Sequence, residues 1–342
     1  MTNWLRKYSI HIVVVVIALA LPYIFQGSYL RHLLTMTLIY GVMALGMNMV
    51  VGYMGEISLG HSLFFGFGAY ASTLLTMKAG LSLWLSAPLG ILMTGVLGLI
   101  IGYIAVSRTR NIPFAIVTFG FGLIGMLICS NWFDLTRSQQ GIGRIPYPII
   151  AIPGLPVIEF RSPEVFYYLA LACMIFVIYL IKRVLNSRIG RSAIALRENP
   201  DLASSIGVNA LKSFVYIFAL SALVMGLSGA MYAHFIRYIT PKLMGLDQIL
   251  IMLIMVIVGG RGTIAGPIIG AAIFIFIPEL LRMTDQLRPV IFGVIFFTCI
   301  MFMPQGIYPA LVSLWNRIFS RLKLRFATKN VEIRIEKKGR TV

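Results

Sequence analysis

EVFYYLALACMIFVIYLIK (164–182), RSAIALRENPDLASSIGVN (191–209) and SFVYIFALSALVMGLSGAMYAHFI (213–236) follow one another along the chain, and their alternation decides the fold. Two apolar runs, each long enough to cross roughly 30 Å of hydrocarbon, enclose a charged stretch with an Asn-Pro break and a closing glycine. Lipid offers no partner to backbone N–H and C=O groups, so such runs fold as helices. Alternating segments of a transmembrane barrel do not occur.

The pattern extends over the whole chain. Of 342 residues, 59% are hydrophobic and 12% are charged, where soluble domains carry about 25% charged residues. Spans are expected at 8–25, 31–51, 63–78, 82–105, 112–131, 164–182, 213–236, 246–259, 264–281 and 288–304. The chain reads as an all-α polytopic membrane protein of about ten transmembrane helices. Residues 1–316 form a membrane domain and 317–342 a basic cytoplasmic tail. The first run, preceded by Arg6 and Lys7, lacks a small-x-small cleavage site and reads as an uncleaved helix.

The net charge of +18 gathers at span ends and in the tail, which points to anionic lipid and not to nucleic acid. With alternating sides, one set of loops (1–7, 52–62, 106–111, 182–212, 260–263 and 305–342) holds 20 of the 29 Lys and Arg residues. Basic loops stay in the cytoplasm, so the chain is expected N-in and C-in. Cys129, Cys173 and Cys299 all lie in apolar runs, as packing residues do.

The polar stretch has its own grammar. Residues 187–198 suit a short amphipathic helix. Asn199 suits an N-cap before Pro200 at the first helical position, with Asp201 in the first turn, and Gly207 ends that helix. Two such short helices are not stable alone in water, so the hairpin is expected to dock on a soluble cytoplasmic partner.

Machinery for chemistry is missing. There is no Gly-Lys pair and hence no phosphate loop with its lysine, no H-E-x-x-H, and no G-x-S-x-G elbow. Gly260–Ala265 matches a dinucleotide fingerprint but follows no strand. Ionisable residues inside or beside spans are Glu56, His61, His234, Arg237, Asp247 and Glu279. The last four lie near span ends, where snorkelling or end-capping accounts for them. No acid sits deep within an expected span, which speaks against a proton-driven carrier.

GYMGEISLGHSLFFGFGAY (52–70) breaks the helical pattern with five glycines around Glu56, Ser58, His61 and Ser62. It is either a cytoplasmic turn leading into a glycine-packed helix or a discontinuous element lining a pathway, with Gly55, Glu56, Ser58, Gly60 and His61 as the candidates. GGRGTIAGPIIGAA (259–272) repeats part of its spacing. There Gly262, Gly266 and Gly270 are expected along one helix face as a packing seam.

GRSAIALRENPDLASSIGVN, FALSALVMGLSGAMYA, VGGRGTIAGPIIGA, GYMGEISLGHSLFFGFGAY and the terminal FMPQGIYP resemble the branched-chain amino acid permease subunits of bacterial ABC importers. The likeness covers roughly residues 30–310. It implies an ABC importer permease in the bacterial inner membrane, paired with a second homologous permease subunit. Two cytoplasmic ATP-binding subunits would use the ATP, a periplasmic substrate-binding protein would deliver substrate, and this chain would bind no cofactor and no metal and would not be an enzyme. It also implies that Arg197, Glu198, Asn199, Pro200, Asp201 and Gly207 belong to the loop that couples to an ATPase. Glu56 stands where relatives often carry Gln, and LTRSQQGIG (135–143) and Thr240-Pro241-Lys242-Leu243 also depart from the family pattern. Urea and short-amide permeases share this architecture. A self-contained secondary transporter is the reading from another class.

Overall fold

The computed structural model describes residues 16–25, 27–150, 158–160 and 162–280, and further on 293–294, 297–298, 301, 303 and 306–313. The tail 317–342, the start of the first expected span and most of the span at 288–304 lie outside the described residues.

Eight of the ten expected spans appear as helices among the described residues. They are α1 (Ser28–Asn48), α2 (His61–Met77), α3 (Leu83–Arg108), α4 (Asn111–Asn131), α5 (Pro163–Leu185), α8 (Ala210–Ile236), α9 (Leu246–Gly259) and α10 (Ala265–Leu280). Between α5 and α8 lie the two short hairpin helices, α6 (Arg188–Glu198) and α7 (Pro200–Ser205). Among the described residues, five helices are long and apolar enough to cross a membrane: α1 with its extension to Met54, α3, α4, α5 and α8. The other three, α2, α9 and α10, have 17, 14 and 16 residues.

Helices α1 and α8 form the centre. α8 packs against α3, α2 and α1, while α1 packs against α10, α5 and α9. Without a hydrophobic force between helices in lipid, close packing of small residues holds such a bundle together. A Cβ on Gly226 would come within 2.8 Å of Thr94, and one on Gly102 within 2.8 Å of Phe218. Ser228 Oγ donates to Ile39 O at 2.8 Å, and Ser221 Oγ to Gly46 O at 2.9 Å, tying α8 to α1.

The connections sort to two ends. At one, Arg31 pairs with Glu164, and Lys78 donates to the Asp134 carbonyl. There the strand Ile142–Gly143 pairs antiparallel with Tyr238–Ile239. Arg237, in a left-handed conformation, donates to Ile145 O at 2.7 Å and lies over the Tyr147 ring. A second ladder, Ile149–Ile150 with Ile158–Glu159, completes the described part of this cap. At the other end meet residues 49–56, 108–111, 186–209 and 260–263. Three of these four segments carry arginine: Arg108 and Arg110, then Arg188, Arg191 and Arg197, and Arg261.

Two connections do not stay at the ends. α1 runs on through a π-helical turn, Met49–Met54, which Gly55 stops at φ +81. The chain then returns without helix, and the N–H of Leu59 reaches Thr118 Oγ1 at 3.2 Å, seven residues into α4. α2 starts at His61, which meets Ser221 eleven residues into α8. At 1.5 Å per residue those contacts lie about 10 and 16 Å above the turn end of the bundle, so α2 starts well inside it. Residues 237–245 mirror this from the opposite end. Ser62 Oγ donates to Met244 O at 2.8 Å, and α9 begins there, at mid-depth. Fourteen residues reach about 21 Å, short of the roughly 30 Å hydrocarbon core. The expected span 246–259 is therefore a helix too short to cross. Its high hydropathy is genuine, but hydropathy does not report depth.

Candidate functional site

Three sequence motifs, far apart in the chain, converge at the turn end. Arg197, in the last turn of α6, donates through Nη1 to the Gly52 carbonyl, and its other nitrogens pair with Glu198. Its aliphatic stem lies where a Cβ on Gly55 would stand, and a Cβ on Gly262 would be 3.3 Å from Nη1. Asn48, buried at the end of α1, accepts from the Gly262 N–H at 2.9 Å and donates to Thr263 O at 2.7 Å. One arginine thus touches both backbone breaks, and one asparagine binds them together. Val51, Gly52, Gly55, Arg197, Glu198, Arg261 and Pro309 line a cleft of about 450 Å³ at this junction.

The hairpin is built as its sequence suggests. Asn199 accepts from Leu202 N at 3.0 Å, Pro200 takes the first helical position, and Gly207 adopts φ +84 in open space. Ala193 and Leu196 are buried against the bundle. On the outward side Leu202 is 62% and Ile206 74% exposed, beside exposed Asp201 and Glu198.

The second candidate set faces inward. Glu56 is 6% exposed and accepts from Asn111 N at 2.8 Å, with Arg110 at 3.7 Å. Arg110 also lies 4.0 Å over the Phe214 ring. Its burial lowers its proton affinity, and the neighbouring Glu56 opposes that. His61 is wholly buried, with Ser58 Oγ at 2.7 Å from Nδ1 and Ser221 Oγ at 2.8 Å from Nε2. Ser221 spends its proton on Gly46 O, so this network assigns the N–H to Nε2, and Nδ1 accepts from Ser58. Gly60 is needed because any Cβ would strike the Thr118 carbonyl. Of this stretch only Ile57, 53% exposed, and Gly55 turn outward.

The glycine seam needs correction. Gly266 and Gly270 do lie on α10 against α9, where a Cβ on Gly270 would stand 2.8 Å from the Met255 carbonyl carbon. Gly262 is not on that face. It precedes the helix, at φ +74 in the turn, and serves the Asn48 clamp instead.

Sequence reasoning missed Asn48, Arg110 and Ser221. A lone amide in the apolar run GMNMVVG was the available signal, since a polar side chain within a span needs a partner. Among the described residues no three His, Cys, Asp or Glu side chains gather as a metal site would require.

A family model described as branched-chain amino acid transport system / permease component matches residues 29–304. The chain is 29% identical over 313 residues to the high-affinity branched-chain amino acid transport system permease protein LivM of Salmonella typhimurium, covering 86% of this chain and 73% of that one. LivM of Escherichia coli is 28% identical over 87% of this chain and 74% of its own length. The permease protein LivH of Escherichia coli is 24% identical over 78% and 90% of the two chains.

Proposed function

The chain belongs to the branched-chain amino acid transport system permease family, a family of transport proteins and not of enzymes, and from that premise we propose that it forms half of an ATP-driven import pathway for branched-chain amino acids. The multi-pass helices place it in a membrane. Its membrane is the bacterial inner membrane, with the turn end cytoplasmic because basic loops remain there. Similarity to both LivM and LivH supports a related permease as its membrane partner. A periplasmic binding protein delivers substrate at the opposite end.

The observation that carries this reading is the hairpin. It exposes Leu202 and Ile206 outside the hydrocarbon while Arg197 anchors its base to the Gly52 carbonyl. Exposed apolar side chains rimmed by charge mark a protein interface. An ATP-binding subunit docks there, and closure of the ATPase pair pushes the hairpin against the Gly52–Gly55 and Gly260–Gly262 breaks. The two permeases then change the side to which the pathway opens. Such a bias requires contacts that differ between the two states.

The test is co-purification of the ATP-binding subunits with tagged permease. Leu202→Glu with Ile206→Glu should abolish co-purification and ATP-dependent uptake while the permease stays folded. Arg197→Ala should retain the ATPases yet transport less substrate per ATP hydrolysed. ATP-dependent uptake that survives the double substitution would sink the docking assignment.

A further inference from the structure

Asp247 lies in the first turn of α9, and that turn sits at mid-depth. The depth follows from two independent routes. Met244, three residues earlier, is hydrogen-bonded by Ser62 at the buried start of α2. Gly260, thirteen residues later, belongs to the turn end, which at 1.5 Å per residue lies about 20 Å away. Asp247 is exposed, and among the described residues it has no ion pair. A carboxylate facing hydrocarbon is expensive, so such a residue faces a watery cavity or a cation. Leu246 and Leu250 are exposed beside it, at 47% and 48%, so the face combines one negative charge with aliphatic surface.

We propose that Asp247 faces the translocation pathway and receives the ammonium group of the transported amino acid, with Leu246 and Leu250 against its aliphatic side chain. This deepens the transport reading and rests on it. The charge pattern suits an α-amino acid better than urea or an amide, neither of which carries a cation. Discontinuous helices that begin near the midplane are where membrane transporters build substrate sites.

The experiment uses the full complex in vesicles, with leucine as probe. Asp247→Asn should raise the KM for leucine about tenfold or more, the penalty of an unpaired charged group, with a smaller change in kcat. Asp247→Glu should restore part of the affinity. In a background lacking Cys129, Cys173 and Cys299, Asp247→Cys should react with a water-soluble thiol reagent, and leucine should protect it. An unchanged KM in Asp247→Asn overturns the proposal. So does an Asp247→Cys that stays unreactive in the complex, because the partner permease then covers the position. Leucine uptake by this chain alone, driven by a proton gradient and lost in Asp247→Asn, also overturns it, since the acid would then carry protons. Failure of the transport reading shows separately, as absence of ATP-dependent uptake by the unsubstituted complex.

Discussion

Replacing His61 removes the imidazole that joins α2 to α8 and, through Ser221, to α1. The alanine variant loses two hydrogen bonds, to Ser58 at 2.7 Å and to Ser221 at 2.8 Å. Bonds of this kind between membrane helices average about 0.6 kcal/mol and reach about 1.7, which gives about 1–3 kcal/mol for the two. The emptied ring space lies among Phe64, Phe218 and fully buried neighbours that cannot readily collapse. Truncating a ring in a packed core costs about 3–5 kcal/mol, so the sum is about 4–8 kcal/mol. Glutamine is the informative comparison, because its amide nitrogen can stand where Nε2 stood and still donate to Ser221. It loses only the Ser58 bond and part of the packing, about 1–2 kcal/mol. Reversible unfolding of the purified permease in mixed micelles, followed by helicity, measures both. Alanine within about 0.5 kcal/mol of the unsubstituted protein, the range of surface changes, would refute the clamp. Glutamine as damaging as alanine would refute the contribution of the Ser221 bond.

Other outcomes follow from the same contacts. Gly270→Ala should cost about 1–3 kcal/mol in that titration, because its Cβ meets the Met255 backbone and α9 and α10 must separate. Asn199→Ala should lose about 1 kcal/mol locally, seen as faster amide exchange at residues 202–206 with an unchanged global midpoint, since its cap serves only α7. Glu56→Gln keeps an acceptor for Asn111 N–H but removes the charge beside Arg110. Exchange should rise at 109–112, and Arg110→Met added to it should restore protection.

Much of the architecture was legible because span length and hydrophobicity are local properties. The ends of α4, α5 and α8 fall within a few residues of the apolar runs. The hairpin was legible for the same reason, since Asn199, Pro200 and Gly207 act on their own backbone. Depth was not legible. Asp247 looked like an end-capping acid because α9 is as apolar as a full span, and only the Ser62–Met244 bond places its start at the middle of the bundle. Gly262 kept the i, i+4 spacing of Gly266 and Gly270, yet its partner is Asn48, 214 residues away. No periodicity reports such a contact.

That separation constrains how the protein is made. Asn48 enters the membrane early, and both its partners, Gly262 and Thr263, are synthesised more than 200 residues later. Until then the buried amide waits unpaired in a part-built bundle, whereas the Gly52 carbonyl can be satisfied as soon as Arg197 is made. The completed junction is thus a record that translation has passed residue 263. Ribosome-stalled chains ending before Gly262 should be held by insertion chaperones or degraded, and chains ending after α10 should be released from them.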